Sequence, residues 1–154
     1  MKIAVINGPN LNFAGIREPL IYGKETLSEM NKYIETQARA LAEQDLVNIE
    51  LEFFQSNLEG EIINFIQKCH TQKFDGVVIN PGALSHYSYA IRDAVASLAV
   101  PAIEVHMSNP YSREEFRQKS VIAPVCRGQI CGLRSHGYVL AISAIIKISL
   151  EVYE

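Results

Sequence analysis

Cysteine is scarce: the 154 residues hold only Cys69, Cys126 and Cys131, an odd number without a CxxC pair. Neither a disulfide framework nor a zinc site follows from that pattern, and the three thiols are expected to be small buried hydrophobes. Basic charge is also short, with 14 Lys and Arg against 17 Asp and Glu, a net charge of -3 and a pI near 5.8. Binding to a phosphate backbone needs a surplus of cations, so nucleic acid is not an expected partner. Apolar runs stop far short of the roughly 20 residues a membrane span needs, and no charged start leads into an apolar signal core. The expectation is a soluble, cytoplasmic protein. His70, His86, His106 and His136 lack a paired spacing such as HxxxH and have no carboxylates clustered with them, so no metal is expected. The first loop, "NGPNLNFAG", is neither GxGxxG nor GxxxxGK[ST], the patterns that cradle phosphate. Nor does the end of the first apolar run carry the acidic residues of a phospho-receiver domain; it reads Asn-Gly-Pro-Asn.

What the chain does have is alternation. At 48% hydrophobic and 20% charged it suits one globular domain spanning 1–154. Short apolar runs, "KIAVIN", "NIELEFF", "FDGVVINPG", "VPAIEVH" and the brief "GQICG", read as five strands. Amphipathic stretches separate them. One begins after Thr26, an N-cap with Glu29 three residues on, and aligns Leu27, Met30, Tyr33, Ile34, Ala38 and Leu41. A second places Ile62, Ile63, Phe65, Ile66 and Cys69 at helical spacing, a third covers roughly Tyr87 to Leu98, and an apolar helix runs from about Tyr138 to the end. No repeat, linker or low-complexity segment interrupts the pattern. This predicts a doubly wound, flavodoxin-like α/β domain with a five-stranded parallel sheet, order 2-1-3-4-5, and helices on both faces.

In such a sheet ligands bind beyond the carboxyl ends of the strands. The loops there concentrate Asn, Ser, His and Arg: Asn7, Asn10 and Asn12 after the first strand, Asn57 after the second, Asn80, Ser85 and His86 after the third. An Asn at a strand end is also an ordinary turn or cap residue. Glu104 and His106 stand two apart on one strand and so point to the same face, where the carboxylate could fix the imidazole tautomer. A satisfied structural histidine would fit the same spacing. Beyond them come Ser108 and Asn109, then Arg113 and Arg117, four apart in "SREEFRQ". If that segment is helical both guanidinium groups project the same way, toward a site or toward solvent.

Taken together, "INGPNLN", "REPLIYG", "LEFFQSNLEGEII", "GVVINPGALSH", "IEVHMSN", "REEFRQKS" and the closing "GY" before an apolar helix resemble the type II 3-dehydroquinate dehydratases, in order and over the whole chain. The resemblance implies trans elimination of water from 3-dehydroquinate to give 3-dehydroshikimate, without a cofactor, in aromatic amino-acid biosynthesis or quinate breakdown. It implies Tyr22 as the base, Asn10 holding the water that stabilises the enolate, and His106 as the acid, oriented by Glu104. It places Arg17 beside Tyr22 on a loop that closes over the substrate. The family's substrate-binding groups fall on Asn80, Gly82, His86, Asp93, Met107, Ser108, Arg113 and Arg117. Assembly as trimers grouped into a homododecamer is implied as well, with Asp93 reaching a neighbouring subunit's site. Phe13-Ala14, Met107 and the polar, sulfur-bearing "CRGQICGLRSHGY" depart from the commonest family pattern; the first two bear on lid closure and the last on packing around the final strand.

A phenol with a pKa near ~10 is a poor base until cations favour its phenolate, a task open to Arg17, five residues before Tyr22 across a Pro-containing turn, and to Arg113 on the strand-four loop. The Met107 and Ser108 amides, at the start of a helical turn, would hold the substrate carboxylate. All seven lysines lie outside the matched positions, which argues against a Schiff-base route. The competing reading is a flavodoxin-like module that binds a nucleotide or anion without turnover, and it has no use for Tyr22, Glu104 and His106 together. Tyr22→Phe should nearly abolish turnover while substrate affinity, measured by calorimetry, stays mostly intact; an active Phe variant would remove Tyr22 as the base.

Overall fold

The computed structural model describes residues 1–16 and 23–151. Five parallel strands form one sheet in the order β2-β1-β3-β4-β5, the order the alternation predicts. β1 (Lys2–Asn7), β3 (Gly76–Asn80) and β4 (Ala102–His106) occupy its centre; β2 (Glu50–Gln55) and β5 (Gly128–Cys131) are its edges. Central strands covered on both faces are buried along their length and apolar except where they enter the site. Accordingly β3 is buried throughout and β1 from Ile3 onward.

Each face of the sheet receives two helices. α1 (Leu27–Gln44) and α4 (His136–Glu151) cover the face that carries Ile3, Val5, Val78, Ile103 and Val105. α2 (Glu59–Thr71) and α3 (Tyr89–Ala96) cover the face of Ala4, Ile6, Val77, Ile79 and Ala102. Met30, Ile34, Ala38 and Ala42 are the buried stripe of α1, at the spacing read from the sequence. On α2 the stripe is Ile62, Phe65, Ile66 and Cys69. Full burial of each such aliphatic side chain contributes about 1.5–3 kcal/mol, which makes the two stripes the main hold on the helices.

Local signals set the helix boundaries. Before α1 the Thr26 hydroxyl accepts from the Glu29 amide at 3.3 Å while the Glu29 carboxylate accepts from the Thr26 amide at 2.9 Å, the reciprocal capping box that the spacing predicts. The Thr26 donors also hold the Glu29 carboxyl below its ordinary range. α3 is shorter than the sequence suggests. Residues Gly82–His86 form a 3-10 turn, and Ser88 then caps the helix by accepting from the Ile91 amide at 3.0 Å, so Tyr87 lies outside it. α4 starts earlier than expected, at His136, because Arg134 in the left-handed region (φ 50°) turns the chain and its carbonyl accepts from the Gly137 amide.

Two expectations are corrected. The "SREEFRQ" segment is not an α-helix: Arg113 is extended, and Arg117 sits in a 3-10 turn, Glu115–Gln118. With Phe116 its sole apolar residue, the segment has no stripe that could bury and stabilise a longer helix. Of the cysteines Cys69 is buried, whereas Cys126 and Cys131 are half-buried beside the edge strand. Burial still pushes Cys69 up to about 11 and Cys126 up to about 12, so both are protonated at neutral pH. No helix among the described residues is long and apolar enough to cross a membrane.

Thr26→Ala removes the hydroxyl that accepts from the Glu29 amide, leaves the backbone half of the capping box, and should cost about 1 kcal/mol in urea unfolding with an unchanged m-value. An unchanged midpoint would show that tertiary packing alone fixes the start of α1.

Candidate active site

Polar side chains meet where β1, β3 and β4 end. Asn7 and Asn80 are register partners in the central ladder, so their side chains leave the same face side by side. Tyr138, fully buried on α4, reaches between them: its hydroxyl donates to Asn7 Oδ1 at 2.7 Å and accepts from Asn80 Nδ2 at 2.7 Å. Asn80 Oδ1 in turn accepts from the Gly82 amide at 3.2 Å. Burial pushes the Tyr138 phenol well above the tyrosine range, so it stays a neutral donor. The trio forms a rigid floor.

The loops above are held close. A Cβ on Gly8 would lie 2.5 Å from the Pro81 carbonyl oxygen, so only glycine lets the first and third strand-end loops pack together. Asn10 takes the left-handed conformation (φ 69°) that Asn tolerates, and its amide donates to Asn57 Oδ1 at 2.8 Å. Further along, a Cβ on Gly15 would lie 2.8 Å from the Lys24 carbonyl oxygen. The backbone on one side of residues 17–22 therefore touches the backbone on the other. Ser135, just before α4, secures the second side by donating to Glu25 Oε2 at 2.9 Å.

β4 supplies a carboxylate–histidine pair. His106 Nε2 donates to Glu104 Oε1 at 2.5 Å, and Glu104 has no solvent exposure. Two more donors converge on that carboxylate: Ser120 Oγ on Oε2 at 2.8 Å and Gln129 Nε2 on Oε1 at 2.9 Å. With Nε2 engaged, Nδ1 is the ring nitrogen of His106 left to serve a group in the cavity. His86 stands opposite, its ring nearly parallel to His106 with 6.5 Å between centroids. Its Nδ1 lies 2.8 Å from the Lys119 carbonyl oxygen, which can only accept, and so must carry the proton there. Phe116 braces the ring edge-on at 5.5 Å.

These groups enclose a cavity of about 130 Å³. Asn10, Asn80, Gly82, His86, His106, Met107, Ser108, Arg113 and Arg117 all line it, so nine of the residues singled out in the sequence share one space. Arg117 Nε donates to Glu114 Oε2 at 2.7 Å and Arg113 Nε lies 3.7 Å from the same oxygen. The first of these contacts chiefly holds the exposed Glu114 carboxyl down at about 2. Glu104 lies behind His106 rather than on the lining. Asp93 is exposed on α3, away from this chain's own cavity. Arg17 and Tyr22 lie outside the described residues. Met107 and Ser108 precede the 3-10 turn Pro110–Ser112, so their amides are not at the start of a helical turn as the sequence reading had it. Phe13 is half-exposed at the cavity wall, whereas Ala14 is buried.

Sequence reasoning missed the Tyr138 hydroxyl, Ser120 and Gln129 as parts of the site. A lone phenol in an otherwise apolar helix was the available signal for the first, since a buried Tyr normally finds a partner. For Gln129 the signal was its place two before Cys131 on a short strand, which puts both side chains on one face. Among the described residues no three His, Cys, Asp or Glu side chains converge as a metal site requires.

A doubly wound parallel sheet whose strand ends carry a carboxylate-oriented histidine facing arginines defines an α/β acid–base catalyst for an anionic substrate. The family model described as Dehydroquinase class II matches residues 1–146, and the chain belongs to that family. It is 55% identical over 150 residues to a 3-dehydroquinate dehydratase of Lachnoclostridium phytofermentans, covering 97% of this chain and 99% of the relative. A 3-dehydroquinate dehydratase of Clostridium acetobutylicum is 54% identical, with 94% and 96% covered. The crystal structure of a type II dehydroquinase from Butyrivibrio crossotus superposes with a TM-score of 0.84 at 52% identity, covering 95% of this chain and 97% of that one. The type II dehydroquinase of Propionibacterium acnes gives 0.87 at 40% identity, with 95% and 96% covered.

Tyr138→Phe leaves Asn7 Oδ1 and Asn80 Nδ2 without their shared hydroxyl. The expected loss is about 1–3 kcal/mol in urea unfolding. A loss near zero would mean that the two amides re-pair with each other.

Proposed function

We infer that this chain, acting as one catalytic domain, removes water from 3-dehydroquinate to give 3-dehydroshikimate through an enolate. The observation that carries this reading is His106, backed by Glu104, on the wall of a cavity that also holds Asn10, Asn80 and two arginines, in a chain of this family. Elimination needs a base for the proton alpha to the ketone, a group to hold the enolate oxygen and an acid for the departing hydroxyl.

In this reading Tyr22 takes the proton, with Arg17 and Arg113 favouring its phenolate. Asn10, fixed by its left-handed turn and by Asn57, holds the water that meets the enolate oxygen. His106 gives its proton to the leaving hydroxyl. Glu104 supports the imidazolium in the ground state and keeps the ring aimed into the cavity. Asn80, Gly82, His86, Met107, Ser108 and Arg117 bind the substrate, whose carboxylate suits the arginine-lined wall. Asp93, exposed on α3, serves a neighbouring copy within trimers that group into a homododecamer. The reaction runs without a cofactor, in the cytoplasm, within aromatic amino-acid biosynthesis or quinate breakdown.

Purified protein with no metal or cofactor added should generate the conjugated-enone absorbance from 3-dehydroquinate. Chelator should leave the rate unchanged, and borohydride added with substrate should not inactivate. Inactivation would point to a lysine Schiff base instead. His106→Ala should lower kcat by about 10²–10⁴ with little change in KM, and a normal rate in that variant would assign the acid role elsewhere.

A further inference from the structure

We propose that Gln129 on the edge strand is a positioning residue for the acid: its amide fixes the Glu104 carboxylate and thereby the His106 ring. The inference rests on the reading of His106 as the acid. Glu104 and Gln129 are register partners in the β4–β5 ladder, and His106 pairs with Cys131 one step on. All four side chains therefore leave the same face of the sheet, from strands about 4.8 Å apart.

The carboxylate needs this help. A carboxylate's terminal torsion is broad and roughly two-fold, so a single bond to His106 would not determine which oxygen faces the imidazole or at what angle. Oε1 receives both His106 at 2.5 Å and Gln129 at 2.9 Å, while Ser120 holds Oε2 at 2.8 Å. A carboxylate accepts only, so the amide of Gln129 must present its NH2 end. Ser120 is tied down independently, because its oxygen also accepts from the Ile122 and Ala123 amides. Gln129 is therefore the adjustable member of the three.

Packing alone does not account for Gln129. It is an exposed residue of an edge strand, yet its amide tip ends on a carboxylate with no exposure at all. The neighbouring thiols offer no substitute. Cys126 and Cys131 are pushed up first by burial and then by the charge of Glu104, and as neutral thiols they are weak donors.

The test compares Gln129→Leu with Gln129→Glu, reading kcat, KM and the low-field proton resonance of the His106 Nε2–H in the resting enzyme, assigned by its loss in His106→Ala. Loss of the donor in Gln129→Leu should lower kcat about 3- to 10-fold with KM within about 2-fold, and displace and broaden the resonance. Gln129→Glu keeps the size but sets a carboxylate against a carboxylate, and should be the worse of the two. A resonance that neither variant moves, or the reverse order with Glu near wild type and Leu worst, overturns the proposal in favour of packing. A displaced resonance with unchanged kcat sustains Gln129 as the group that positions His106 and removes His106 as the acid.

Discussion

The acid end of this site answers to the burial of one carboxylate. Glu104 sits in the second-to-last strand of the sheet with no access to water, where an unpaired charge would cost several kcal/mol. It is met by His106 on its own strand, by Gln129 on the neighbouring strand and by Ser120 from the connection between them. Those three segments cannot shift independently without stranding the charge. His106 thus inherits its orientation from the sheet itself, whose strand separation is among the most constant dimensions in protein structure.

A second constraint works at the centre of the sheet. Tyr138 brings a hydroxyl from the last helix into contact with the ends of β1 and β3, far apart in sequence. The absence of a side chain at Gly8 lets the following loops touch. The floor of the cavity is therefore built from groups satisfied by one another, so a ligand above meets preformed donors rather than ones that must first be pulled from water. By contrast, the arginine wall rests on short 3-10 turns and on Glu114, which is exposed and shared between two guanidinium groups.

Much of this was legible in the sequence because it follows from periodicity. The parallel order, the capping box at Thr26 and the shared face of Glu104 and His106 all rest on spacings of two, three or four residues, which dihedral geometry converts directly into direction. The failures have a different origin. A shared direction for Arg113 and Arg117 was conditional on a helix that four-residue spacing permits, but a segment with one apolar side chain cannot anchor a helix, and short turns stand there instead. Tyr138, Ser120 and Gln129 escaped notice because their partners lie 58, 16 and 25 residues away. Such pairings are set by strand order and register, which no local window contains.

The approach of Gly15 to the backbone at Lys24 and Glu25 has a consequence for how this enzyme family can vary. Residues 17–22 are bracketed by a closed neck of chain on either side, pinned further by the Ser135–Glu25 bond. Because its ends already meet in the folded chain, the entropy of bringing them together is part of folding and does not recur at each catalytic cycle. Doubling the length of a segment closed in this way adds only about 0.6 kcal/mol to that closure term. The neck thus separates two kinds of evolutionary change: the length of chain between its two sides can vary at little cost in closure entropy, while the scaffold that holds Asn10 on one side and the start of α1 on the other keeps its place.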